Sequence, residues 1–363
     1  MMNQNKKPQI IALHLPQFHE IPENNEWWGE GFTEWTNTKN SKPIFKGHHQ
    51  PRTPLNNNWY DLSDVKAISR QMELAKKGEI GGFCYYHYWF NGKLLLEKPL
   101  ELMRKLETRI PYFFCWANEP WMRTWDGTNE ILIDQTYNGL EDWEKHYDYL
   151  RDFFIDEKYI KIDNKPVFVL YGTKNITDCD EMISYLDKRC KEDGYEGIYV
   201  IEEKTGFQND ACCSNSSGIM EFEPLFTLKY QRNFFEKTYD FIARKVFNRI
   251  HGSDNRIYSY DLIWKNILRR KNITYPGKSL SLGAFVDWDN TARKGNKSTF
   301  MYGATPKKFG KYIRRLYKKA DMMNCPFIFI NAWNEWGEGT YLEPDDKNKY
   351  DYLKKIKNLR NCN

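Results

Sequence analysis

Short apolar runs recur along the chain, and each gives way to a cluster of polar and aromatic residues. The runs are Gln9–Leu15, Ile80–Tyr86, Pro111–Trp116, Pro166–Tyr171, Gly197–Ile201, Gly218–Phe222, Leu282–Val286 and Pro326–Ile330. Their length and their β-branched and aromatic content predict strands buried on both faces. Helical patterns separate most of them. Ser63 caps a helix through Lys77 that places Val65, Ile68, Met72 and Ala75 on one face. A leucine-rich helix to about Leu106, then Leu140–Phe154, Asp180–Glu192, Pro306–Met323 and Tyr350–Arg360, continue the alternation. Alternating β and α elements call for a parallel sheet. Eight such units, with polar groups after every strand rather than at one Gly-rich first turn, predict a closed (β/α)8 TIM barrel. It is read as a single α/β domain over 1–363. Long βα-loop insertions interrupt it at about 17–62 and, without a clear strand, at about 225–278.

Composition narrows the partners. Aromatic residues make up 16% of the chain, with 13 Trp, 24 Tyr and 22 Phe. Many stand at strand ends among polar groups, where flat rings suit the C–H faces of sugars. The net charge of +5 over 363 residues is too small to argue for nucleic acid. The basic insertion alone carries 12 Lys/Arg against 4 Asp/Glu. It is read as a solvated surface, with contact to a bilayer face or to a lipid-linked pyrophosphate as the rival. The eight cysteines are scattered, with no C-x-x-C pair, which predicts reduced thiols in a cytoplasmic protein. No run approaches the ~18 apolar residues of a membrane span. The spacings of His14, His19, His48, His49 and His87 fit no helix-borne metal pair, so no metal or cofactor is expected. Asp178-Cys179-Asp180 has a divalent-ion spacing but opens an ordinary helix, where aspartates serve the dipole.

The densest chemistry lies at Cys325–Pro344, CPFIFINAWNEWGEGTYLEP. A buried strand there delivers Glu335 and Glu338 beside Trp333 and Trp336. Three residues apart on a regular strand, the two carboxylates would face opposite sides. Both can serve one cleft only if the chain breaks at Trp336-Gly337. Glu335 and Glu338 are therefore the candidate catalytic pair, with Asn331, Trp333 and Asn334 as substrate contacts. Other strand ends supply His19, Tyr86, His87, Trp89, Trp116, Asn118 and Glu119. The long loops add Trp28, Trp35 and Trp125. Glu202 after the fifth strand and Asp287 after the seventh complete the candidate binding set.

Several blocks resemble one family: Ala12–His19, Trp27-Trp28-Gly29 with Gly31–Trp35, Gly82–Phe90, Trp116–Glu119 and Asn331–Gly339. They are similar to the WbsX-type proteins, which are glycoside-hydrolase-family-99-like and commonly labelled glycosyltransferases of bacterial O-antigen and capsule assembly. The resemblance covers nearly the whole chain except the basic insertion, and implies a (β/α)8 barrel. In the related endo-α-mannosidases the N-E-W-x-E-G element carries both catalytic carboxylates. One deprotonates the sugar 2-hydroxyl, which attacks the anomeric carbon. The other protonates the leaving oxygen. Carried over, Glu335 is the base and Glu338 the general acid/base, unlike the usual retaining scheme with a carboxylate nucleophile. Glu338 should then have a raised pKa while Glu335 stays ionised. Pro120, Met122 and Thr124 replace more polar residues typical of relatives, and Gly337 stands where Ala is common.

These readings converge on a carbohydrate-active enzyme that cleaves or transfers an α-mannoside-like bond on an oligosaccharide or lipid-linked glycan. A nucleotide-sugar-dependent glycosyltransferase is the first alternative, although no phosphate-cradling Gly-rich loop is present. A non-catalytic glycan-binding protein is the second.

Overall fold

A computed structural model describes residues 7–123, 130–357 and Leu359. Its eight central strands are β1 (Gln9–His14), β2 (Gly82–Phe90), β3 (Tyr112–Trp116), β4 (Lys165–Leu170), β5 (Tyr199–Lys204), β6 (Gly218–Glu221), β7 (Ser279–Phe285) and β8 (Phe327–Asn331). They pair in chain order, all parallel. β8 then closes on β1, with Phe327 beside Gln9. This is the (β/α)8 barrel that the alternation predicts.

Closure requires strands apolar on both faces, and the sequence meets it: every residue of β3 and β8 is buried. Inside the barrel, Phe113 meets Phe327 and Phe329 at ring distances of 5.5 and 5.9 Å. Outside it, Trp264 stacks on Phe285 and Tyr312 at 5.3 and 5.5 Å, tying the helices Tyr260–Arg269 and Pro306–Met322 to β7. Helix starts follow the usual chemistry. Asp64, one residue beyond the expected Ser63, accepts the Lys66 amide to cap Val65–Lys77, and Thr305 caps Pro306–Met322.

Three expectations are corrected. β2 runs to Phe90 rather than Tyr86, because its end pairs antiparallel with Lys93–Leu95. The basic insertion is not strandless. It holds the helices Leu225–Tyr230, Phe234–His251 and Tyr260–Arg269, and its strand Arg256–Ser259 pairs in parallel with Thr299–Tyr302 after β7. Two cysteines are not thiols: Cys179 and Cys213 form a disulfide across 34 residues, with Cα atoms 6.3 Å apart. Their meeting depends on a folded loop that sequence spacing does not reveal. Among the described residues no helix is long and apolar enough to cross a membrane.

Candidate active site

Beyond Asn331 the chain reverses. Asn334-Glu335 pairs antiparallel with Thr340-Tyr341 around a single 3-10 turn, Trp336–Glu338. Gly339 ends the turn at φ 64°, a conformation that favours glycine. The expected break at Trp336-Gly337 falls inside this turn. Buried groups fix it from below. Trp336 Nε1 and the Tyr60 hydroxyl each donate to Glu343 at 2.8 Å, and Gln71 donates to the same carboxyl at 2.9 Å. From the side, the Asp289 amide donates to the Glu338 carbonyl at 2.7 Å, and Arg52 donates to the Gly339 carbonyl at 2.8 Å.

The turn brings both glutamates to one cation. Arg293, on the short helix Thr291–Lys294 after β7, reaches Glu335 at 2.7 Å, Glu338 at 3.0 Å and Glu34 at 2.9 Å. Glu34 is the first residue of a helix, Glu34–Asn40, whose start is fixed by a capping box between Thr33 and Thr36. A Cβ on Gly337 would lie 2.8 Å from both Arg293 Nε and Glu34 Oε2, so only glycine leaves room for this packing.

Three carboxyls around one guanidinium cannot all be ionised cheaply in a buried setting. Burial pushes Glu335 up to about 8 against the opposing pull of Arg293, with Glu338 adding repulsion. Burial raises Glu338 as well, again against Arg293. The expectation that Glu335 stays ionised while Glu338 alone is raised is therefore corrected. Glu335 is the more enclosed of the two, with a side chain 9% exposed against 25%. Burial therefore favours a proton on the pair at neutral pH.

A cleft opens above the pair at the C-terminal end of the barrel. Its inner part, about 300 Å³, is lined by Tyr86, Tyr88, Tyr171, Asn331, Glu335 and Glu338 among others. Its outer part, about 620 Å³, is walled by Trp28, Phe32, Trp121, Met122, Leu132 and Phe207. Gln17, Glu119, Pro120, Trp121, Arg293 and Glu338 border both, so the two are one continuous groove. Burial also raises the carboxyl of Glu119.

Of the predicted residues, Glu335, Glu338, Tyr86, Glu119, Asn331 and Trp28 meet along this groove. The others lie elsewhere. His87 and Trp89 are strand residues whose side chains alternate away from Tyr86 and Tyr88. His87 meets His146 at 2.9 Å, and Trp89 donates to Asp142 at 2.8 Å, both on the helix Leu140–Phe154. Trp116 donates to the Trp89 carbonyl in the same layer. Asn118 clamps the Gly172 backbone at 2.8 and 2.9 Å. Glu202 anchors a loop by accepting from Thr173 and from the Cys212 and Cys213 amides at 3.0, 2.7 and 3.1 Å. Trp35 lies under the turn against Trp336, Trp333 is buried against Phe83, and Asn334 holds the Leu15 backbone. Buried His19 bonds the Pro16 carbonyl. Asp287 pairs with Arg52 at 3.0 Å, beneath the Gly339 contact. Trp125 lies outside the described residues. Sequence reading missed Arg293, and it placed Glu34 in the long first loop and the Gly31–Trp35 block without giving it a role.

The fold and groove define a (β/α)8-barrel protein with an acidic, aromatic cleft at the C-terminal face of its strands. The family described as Glycosyltransferase WbsX matches residues 10–356, and the chain belongs to that family. A relative from Xanthomonas campestris pv. campestris, "Uncharacterized protein WxcX", is 31% identical over 95% of this chain. The chain spans about half of that relative's length, 48%. Among solved structures, a GH99 endo-alpha-mannosidase from Bacteroides thetaiotaomicron shares the fold with a TM-score of 0.54 at 14% identity, over 97% of this chain and 96% of that one. A "glycoside hydrolase-like protein" aligns with a TM-score of 0.61 at 12% identity, over 98% and 95% of the two chains.

Proposed function

We propose that the chain cleaves or transfers a glycosidic bond at the Glu335–Glu338 pair. Family membership and the shared barrel support a carbohydrate-active enzyme. The observation that carries the catalytic reading is the turn that sets two carboxyls on one guanidinium at the floor of a groove walled by aromatic rings. The mechanism is retaining and uses the substrate's own hydroxyl. In the reactive form the proton shared by the pair sits on Glu338, so Glu335 takes the proton of the 2-hydroxyl, and that oxygen attacks the anomeric carbon. The leaving oxygen departs with the proton of Glu338. The epoxide-like intermediate is then opened by water or a sugar hydroxyl, which gives its proton to Glu338 while Glu335 returns one to the 2-oxygen. Arg293 orients both carboxyls and limits how far burial raises them.

The substrate is an α-mannoside-like oligosaccharide or lipid-linked glycan, and the setting is cytoplasmic assembly of a bacterial surface polysaccharide. A protein working there keeps its activity with Cys179 and Cys213 reduced. Glu335→Gln and Glu338→Gln should each lower turnover at least ~10²-fold while glycan binding persists. Unchanged turnover in either variant on a true substrate removes that residue from the mechanism. The family's description favours a second reading, a nucleotide-sugar-dependent transferase. Calorimetric binding of a nucleotide sugar, lost on glycan saturation of the groove, would select it.

A further inference from the structure

The helix Phe234–His251 is built inside out. Its buried residue is Asp240, while Phe235, Tyr239, Ile242, Val246 and Ile250, at helical spacing on one stripe, are 52% to 81% exposed. The stripe is not exposed through poor anchoring. Phe247, off the stripe, packs on Phe45 and Phe300 at 5.4 and 5.5 Å. A capping box between Asn233 and Glu236 fixes the helix start. A contiguous apolar patch held out by a rigid helix marks a contact surface.

Charge identifies the occupant. Exposed Lys245 and Arg249 run alongside the stripe. On the side of the helix turned away from the stripe, Lys237 and Arg244 join Arg232 and Arg256 around a pocket of about 170 Å³, in which Asp240 is ion-paired to Arg232. Apolar side chains edged by cations match the boundary between acyl chains and anionic headgroups. We infer that Phe234–His251 is an interfacial helix that seats the protein on an anionic lipid bilayer, with Phe235, Ile242 and Val246 among the acyl chains and Lys245 and Arg249 at the phosphates. The helix lies between β6 and β7, and so leaves the C-terminal end of a barrel strand, as do the loops around the groove. The surface stands apart from the chemistry of Glu335 and Glu338.

The test is flotation of the full chain with mixed phosphatidylcholine–phosphatidylglycerol vesicles and with pure phosphatidylcholine vesicles. Binding is expected to the mixed vesicles only, and should fall as salt rises. Ile242→Glu/Val246→Glu, at two exposed positions, should abolish it. Lys245→Ala/Arg249→Ala should weaken it roughly 25-fold, about fivefold for each cation removed near the surface. Failure to bind the mixed vesicles overturns the inference, as does equal binding by the two double variants and the unaltered chain. Light scattering showing a dimer that Ile242→Glu/Val246→Glu dissolves would assign the stripe to a second copy instead. Because Glu335→Gln should float like the unaltered chain, failure here and failure of the catalytic reading are separable.

Discussion

Gly337→Ala tests the arrangement of the site with a single methyl group. The added Cβ would stand 2.8 Å from Arg293 Nε, 2.8 Å from Glu34 Oε2 and 3.3 Å from Arg293 Cζ. Ordinary contact begins at 3.4 Å, so the guanidinium or the turn must give by about 0.6 Å. Arg293 is not a free end that can swing aside, because its terminal nitrogens are held at 2.7 to 3.0 Å by three carboxylates. A displacement of that size stretches at least one ion pair past hydrogen-bonding range. Overpacking costs about 1–3 kcal/mol, and a weakened charged hydrogen bond acts in the same direction. The expected loss of stability is therefore about 2 kcal/mol, read from the denaturant midpoint at constant m-value. Arg293 also opposes the rise of Glu335, so moving it away should push that carboxyl above its present value of about 8. The alkaline limb of the pH–rate profile should move up with it. A variant with the midpoint and the profile both unchanged would refute the claim that this glycine makes room for the cation.

Further outcomes follow from the same geometry. The reaction needs one protonated and one ionised carboxyl, so kcat/KM should trace a bell whose alkaline limb lies near pH 8, where the Glu335–Glu338 pair loses its last proton; full activity well above that pH refutes the pairing. Glu202→Ala should cost about 2–4 kcal/mol of stability by stranding the Thr173, Cys212 and Cys213 donors, with KM unchanged, since the carboxyl anchors a loop and does not line the groove. Burial lowers His14 to about 4, so it stays neutral in the fold while an unfolded histidine takes a proton below about pH 6.5. Stability should fall with falling pH from that cause by about 1.4 kcal/mol per pH unit between about 6 and 4. Denaturation of His14→Gln beside the unaltered chain should show the slope reduced by that amount.

The barrel was legible because its strands are buried on both faces, so each reads as a short apolar run without reference to any partner. The paired glutamates were legible for a local reason: Gly337 and Gly339, six and eight residues past the strand end at Asn331, announce a turn. The site's cation was not. Arg293 sits 42 residues before Glu335, in a run of Thr, Ala, Arg and Lys that resembles any solvated loop, and only the closure of β8 beside β7 brings them together. Histidine and tryptophan misled at β2. With the strand ended at Tyr86, His87 and Trp89 read as groove residues. Extending the strand to Phe90 puts them in the layer of the Leu140–Phe154 helix, where alternation decides the matter. Thr33 before Glu34 offered a readable sign, since a capping residue fixes where the next side chain points.

The ribbon between Arg256–Ser259 and Thr299–Tyr302 gives the basic insertion a second duty. Buried Asn255 accepts from both the amide and the hydroxyl of Ser298 at 2.9 Å, and Asn290 accepts the Thr299 amide at 2.7 Å, bracketing the loop that bears Arg293. An engineer who trims this chain to a bare barrel by excising 225–278 therefore removes the splint for a residue more than a dozen positions downstream. The shortened protein would keep both glutamates and lose the counter-charge that makes them usable.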